Sequence, residues 1–117
     1  MKSMLDTVIS EETAKLFSEE IYTYPVEYSW VDGKLVDINL LKGDEEESYE
    51  APSLCMVMKF LRDERGIIIT PSPLPENRWM SEIFIQDTGK LISSGRIVCG
   101  DSWEEVVEEQ IKNIYYE

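Results

Sequence analysis

An α+β fold, in which three helices pack on a small, mostly antiparallel sheet, follows from three features of this 117-residue chain. Apolar residues recur at helical spacing in three separate stretches, the period falls to two between them, and Asp-Gly and Thr-Gly pairs mark hairpins. Strands therefore come in runs, two hairpins plus one short strand, in the order α-ββ-α-βββ-α. No repeat, low-complexity tract or linker interrupts the pattern, so residues 1–117 read as one domain, long enough to bury roughly 65% of the surface the unfolded chain exposes.

Ser10 followed by Glu11 and Glu12 is a helix start, and Ile9, Thr13, Leu16, Phe17 and Ile21 keep its spacing, predicting a helix over about Ser10–Glu20. From Tyr22 to Trp30 the period is two: Tyr22, Tyr24, Val26, Tyr28 and Trp30 share a face, and Pro25 assigns the strand to an edge or a bulge. Asp32-Gly33 turns the chain. A three-residue loop, Val31-Asp32-Gly33 with Gly33 left-handed, sets Tyr28 opposite Val36, Val26 opposite Ile38 and Tyr24 opposite Leu40. A two-residue loop would set Tyr28 opposite Asp37, so apolar matching selects the longer loop.

Lys42–Glu50 carries Asp44, Glu45, Glu46, Glu47 and Glu50 without periodicity and reads as an exposed loop. Ser53 caps a second helix that ends at Gly66 after the Arg62–Arg65 turn. Leu54, Cys55, Met56, Val57, Met58, Phe60 and Leu61 cover most of its circumference, which makes it central. Ile67–Thr70 is a short buried strand, Pro71, Pro73 and Pro75 force an extended loop, and Trp79–Gln86 resumes strand character. Asp87-Thr88-Gly89 repeats the three-residue turn and leads into Lys90–Val98, where Ser93, Ser94 and Gly95 leave a regular strand open. Ser102 and Glu105 form a capping box for the last helix, with Trp103, Val106, Val107, Gln110, Ile111 and Ile114 along its buried stripe.

Charge and composition limit function. With 24 acidic and 11 basic residues the net charge is −13, a potential that repels phosphate backbones and attracts basic partners. The chain has no histidine, which removes histidine-dependent acid–base, nucleophilic and metal chemistry. No apolar run approaches the roughly 20 residues of a membrane helix, and Met1–Ile9 lacks a signal-peptide core, so a cytoplasmic protein is expected. Cys55 and Cys99 have no metal-type spacing and read as free thiols, Cys55 buried and inert.

No residue pattern designates a catalytic, cofactor or metal site. The acids of Asp44–Glu50 are consecutive, unlike the alternating ligands of calcium loops. The aromatic face of Tyr22, Tyr24, Tyr28 and Trp30 has no basic groove beside it, as a nucleic-acid platform requires. Ser10, Ser53 and Ser102 are caps. Glu104, Glu105, Glu108 and Glu109 lie on the outward side of the last helix, where Glu104–Glu108 and Glu105–Glu109 are repulsive i,i+4 pairs. Together with Asp44, Glu45, Glu46 and Glu47 they form the candidate partner surface.

Several segments carry a resemblance. Ala51-Pro52-Ser53, Lys59-Phe60-Leu61-Arg62, the strand Ile67-Ile68-Ile69, the Trp79 strand and Ser102-Trp103-Glu104-Glu105-Val106 are similar to small uncharacterised proteins of phages and mobile elements of gut Bacteroidetes. That group more often has K-W-L-R-E at the helix end and Ser/Thr-Tyr-Glu-Glu-Ala at the last helix. Phe60, Asp63, Trp103 and Val106 stand at the differing positions here. The similarity spans about residues 51–117 and implies a bacterial or phage cytoplasm and an accessory role, with no activity to transfer.

The function expected is a non-enzymatic interaction module acting through its acidic surface on a basic protein, without direct nucleic-acid or membrane binding. Self-association is left open. The alternatives are an acidic nucleic-acid mimic that inhibits a host defence or DNA-processing protein, and a small enzyme using paired carboxylates.

Overall fold

Three serines start three helices. In the computed structural model, which describes residues 7–40 and 48–116, α1 spans Glu11–Phe17, α2 Leu54–Phe60 and α3 Trp103–Tyr115. Ser10 Oγ accepts the Thr13 N–H at 3.3 Å, Ser53 Oγ that of Met56 at 3.2 Å and Ser102 Oγ that of Glu105 at 3.1 Å. Each bond satisfies a donor the helix itself leaves orphaned. α1 stops at Phe17, short of the expected Glu20, and Ile21, assigned to its apolar face, is 84% exposed. α2 continues into a wider π turn over Leu61–Arg65 and ends at Gly66, whose φ of 67° is the left-handed stop.

The strands divide between two three-stranded antiparallel sheets. β1 (Tyr28–Val31), β2 (Lys34–Asp37) and β3 (Ser48–Glu50) have the order β2-β1-β3; β4 (Ile67–Leu74), β5 (Arg78–Asp87) and β6 (Lys90–Gly100) follow chain order. The α+β class holds. β3 falls in the stretch expected to be loop, because Ser48–Glu50 pairs with the open side of β1.

Both hairpin registers differ from expectation. Tyr28 faces Asp37 and Val31 faces Lys34, leaving Asp32-Gly33 as a two-residue loop with φ of 50° and 78°. Asp87 likewise faces Lys90 across Thr88-Gly89, with φ of 46° and 81°. Two successive left-handed residues make the turn whose twist matches its strands, and this local geometry outweighs apolar matching. The longer-loop register relied on Tyr24, Val26, Ile38 and Leu40, none of which lies in a strand: Ile38–Leu40 is a 3-10 turn.

Tyr22–Glu27 forms no strand: the chain bends at Tyr24, and the Glu27 carbonyl accepts the Ile38 N–H at 2.9 Å beyond the end of the β1–β2 pairing. Its alternation is real, with Tyr22, Tyr24 and Val26 half-buried and Thr23, Pro25 and Glu27 exposed. The cause is packing on aromatic rings rather than on a sheet. Tyr22 lies 5.3 Å from Phe60 and 5.3 Å from Phe17, and Tyr24 lies 5.7 Å from Phe60, centroid to centroid. A segment laid on an apolar surface with side chains alternately toward and away from it gives the same pattern as a strand.

β4 runs past Thr70 through Pro71 and Pro73, where a loop was expected. It is an edge strand, and residues two apart turn their main chain to the same side. Both missing N–H groups therefore face the open edge. β6 settles the question left open by Ser93-Ser94-Gly95. It is a strand throughout Lys90–Gly100, with a register shift between the Glu82 and Phe84 pairs where Gly95 takes a φ of 77°.

α3 lies across one face of the β4–β6 sheet. Trp103, Val107 and Ile111 join Ile69 and Ile83 of the sheet, Leu54, Val57, Phe60 and Leu61 of the second helical segment, and Ile9, Ala14 and Phe17 in one buried cluster. Trp103 is buried, as its stripe predicts, and its indole N–H has no acceptor among the described residues. A polar contact fixes the docking of α3. Buried Gln110 donates from Nε2 to the carbonyls of Ser81 at 3.2 Å and Arg96 at 3.0 Å, while the Ser81 hydroxyl donates to the Val106 carbonyl at 2.9 Å.

Candidate functional site

α1 packs beside α3, and the two helices together carry Glu11, Glu12, Glu104, Glu105, Glu108 and Glu109 against Lys15 and Lys112. The acidity of each helix follows from the sequence. Acids at helix starts are favoured by the dipole, and the apolar stripes of both helices turn their polar sides to solvent.

Several of these carboxylates hold the structure together. Glu108 accepts the Ser10 N–H at 2.8 Å, joining α3 to the start of α1. Glu105 accepts the Asp101 N–H at 3.1 Å, so the expected capping box closes one residue earlier than Ser102. Glu11 accepts the Gly33 N–H at 2.9 Å. Glu12 pairs with Lys112 at 3.1 Å and accepts the Tyr116 hydroxyl at 3.0 Å. The Lys112 bond first, and that of Tyr116 next, hold the Glu12 carboxyl below its ordinary value of 4.5. Burial opposes the Lys112 charge, but the bond to Glu12 and the charges of Glu109 and Glu108 outweigh it and raise the lysine.

Glu104 and Glu109 make no hydrogen bond or ion pair among the described residues, and they are the helix-three acids a partner can take without disrupting the fold. Asp44, Glu45, Glu46 and Glu47 lie outside the described residues. The structure thus brings Glu104, Glu105, Glu108 and Glu109 onto one helix beside two acids of α1. Glu11 and Glu12 were legible as helix-start residues but not as part of that surface, since nothing local places α1 next to α3.

Two concave regions bear on chemistry. One, about 160 Å³, is lined by Phe17, Tyr22, Tyr49, Glu20 and Glu50 among others. It is smaller than the roughly 300 Å³ at which small-molecule sites begin. Both Glu20 oxygens are also taken, one by Arg65 Nη2 at 3.0 Å and the other by Arg65 Nε at 3.1 Å and the Tyr115 hydroxyl at 3.0 Å. A carboxylate held that way is not available to pass a proton in a two-carboxylate mechanism. The other, about 200 Å³, lies between α2 and β4 and is lined by Cys55, Met58, Lys59, Arg62, Ile68 and Ile69. Among the described residues no group of three or more Cys, Asp and Glu could hold a metal ion.

Both cysteines are free. Cys55 is half-buried, not enclosed as expected, because α2 turns Cys55 and Met58 toward that groove. Desolvation still pushes its thiol up. Among the described residues no helix is long and apolar enough to cross a membrane.

Comparison with protein-family models, with curated proteins and with solved structures finds no match.

Proposed function

We propose that this chain is an interaction module, an accessory protein of a phage or mobile element, that receives a basic protein partner on the joined outer faces of α1 and α3. The observation that carries the reading is the placement of six carboxylates and two lysines on two helices packed side by side. Such a surface concentrates negative potential and steers a cationic protein into encounter. Glu104 and Glu109 are the primary contacts. Glu105 and Glu108 add field while remaining tied to backbone N–H groups. The resemblance over residues 51–117 supports the phage or mobile-element setting.

The test is capture of partners from a bacterial or phage-infected lysate with elution by rising salt, followed by association kinetics with the purified partner. Salt should slow association as it shortens the Debye length, about 8 Å at 0.15 M. Glu104→Lys combined with Glu109→Lys should lower the on-rate more than it raises the off-rate, whereas Glu76→Lys, in the β4–β5 turn, should change neither. Kinetics indifferent to salt and to the helix-three reversal would overturn the reading.

A further inference from the structure

Among the described residues the β4–β6 sheet has a helix across one of its two faces. Side chains of Ile69, Ser81 and Ile83 point to α3 and are buried. The register then assigns the opposite face. Ile68 pairs with Phe84, Met80 with Cys99, Glu82 with Ile97 and Gln86 with Leu91, and strand alternation adds Thr70, Ser72, Leu74, Arg78 and Ser93. No helix of the described residues packs on this side. Ile97 is 55% exposed and Leu91 59%, while Leu74, Met80 and Phe84 are half-buried, as is Ile68, which borders the groove between β4 and α2.

This face is also electrically unlike the rest of the molecule. In a chain of net charge −13, its charged side chains are Arg78 and Glu82, one of each sign, and Glu82 accepts a hydrogen bond from the Ser93 hydroxyl. Two such chains repel through most of their surfaces and least through this one.

We infer that the outer face of the β4–β6 sheet is a self-association surface, on which a second copy of this chain packs sheet against sheet. Ten residues of β5 at about 3.4 Å and three strands at about 4.8 Å span roughly 480 Å². Two copies thus cover about 1,000 Å², the lower limit for a specific interface, before the pleat and the projecting side chains add to it. Sheets packed face to face lie about 10 Å apart, and on this face Ile68, Leu74, Met80, Phe84, Leu91 and Ile97 are the side chains that would interdigitate. Pairing through the edges is disfavoured by devices already present. Pro71 and Pro73 remove donors from the β4 edge, and the Gly95 register shift breaks the β6 edge. The face has no such protection.

Sedimentation equilibrium of the full chain tests this. A 13.6 kDa monomer should give way to twice that mass as concentration rises to about 100 µM, and added salt should tighten the dimer by screening the repulsion between copies. A basic partner on the acidic helices would respond to salt in the opposite sense, so the two surfaces are distinguished. Ile97→Asp, and separately Leu91→Ser, should each raise the dimer Kd at least about tenfold, with circular dichroism unchanged because both side chains point away from the core. Cys99, on the same face, reports on the unaltered chain: its labelling by a thiol reagent should slow as concentration rises through the Kd. A monomer at every concentration and salt, a dimer unaffected by both substitutions, or Cys99 labelling independent of concentration would each overturn the proposal.

Discussion

Gln110→Met isolates the polar contact that docks α3 on the sheet. Methionine keeps the length and unbranched shape of glutamine at a position with no solvent exposure, so packing is conserved and two donated hydrogen bonds are lost. Each carbonyl that loses a buried donor costs about 1–3 kcal/mol. Ser81 lies within the β5–β6 ladder opposite Val98, whereas Arg96 lies in the register shift, so the larger share of the cost falls at Arg96. The apolar end group returns about 1 kcal/mol of burial. The net expectation is a destabilisation of about 2 kcal/mol, or roughly 8 °C in Tm for a chain of this length. Urea unfolding followed by far-UV circular dichroism should show a lower midpoint with unchanged m. A midpoint at or above that of the unaltered chain would refute the reasoning, because it would mean the amide contributes nothing beyond filling space.

Gly33→Val should destabilise by roughly 1–2 kcal/mol, since φ at this position is 78° and a β-branched side chain is strained there, with open space around the added Cβ excluding a clash as the cause; equal stability in the same urea assay would refute it. Burial first, and the neighbouring Glu50 charge next, push the Tyr22 hydroxyl up to about 12, and burial with the Glu20 bond raises Tyr115 as well. With folded values above the ordinary 10, both rings contribute stability that is fully present below pH 10 and is lost as pH rises beyond it. Absorbance at the phenolate band should show Tyr22 and Tyr115 among the tyrosines that titrate late, together with alkaline unfolding, whereas a single transition for all tyrosines at about pH 10 would exclude this. Cys55, half-buried with a raised thiol pKa, should react more slowly with a thiol reagent than exposed Cys99 in dilute native protein, and at a comparable rate in denaturant. Equal native rates would contradict the placement.

Helix starts were legible because their signal is local. A serine hydroxyl and the N–H three residues on belong to one turn, and Ser10, Ser53 and Ser102 act as they read. Gly66 was legible as a stop for the same reason. Misreadings arose where one pattern has two causes. The alternation of Tyr22–Glu27 comes from Phe17, just before it, and Phe60, on a helix remote in sequence, so the pattern could report which side chains turn inward but not what covers them. The apolar runs Ile67-Ile68-Ile69 and Ile83-Phe84-Ile85 were a missed signal for the outer sheet face, since consecutive apolar residues in a strand place apolar groups on both sides.

By itself the sequence determined the α+β class, three capped helices, the turn positions and an acidic chain without histidine, because periodicity, capping and composition are properties of neighbouring residues and their sum. Only the tertiary structure decided which register each hairpin takes, that the strands form two sheets, and that α1 and α3 pool their carboxylates. It also decided that Glu105 and Glu108 turn back to backbone donors and that no helix of the described residues covers one sheet face. These depend on contacts such as Ser10 to Glu108 and Gln110 to Ser81, between residues far apart in the chain, whose geometry exists only once the core has closed around them.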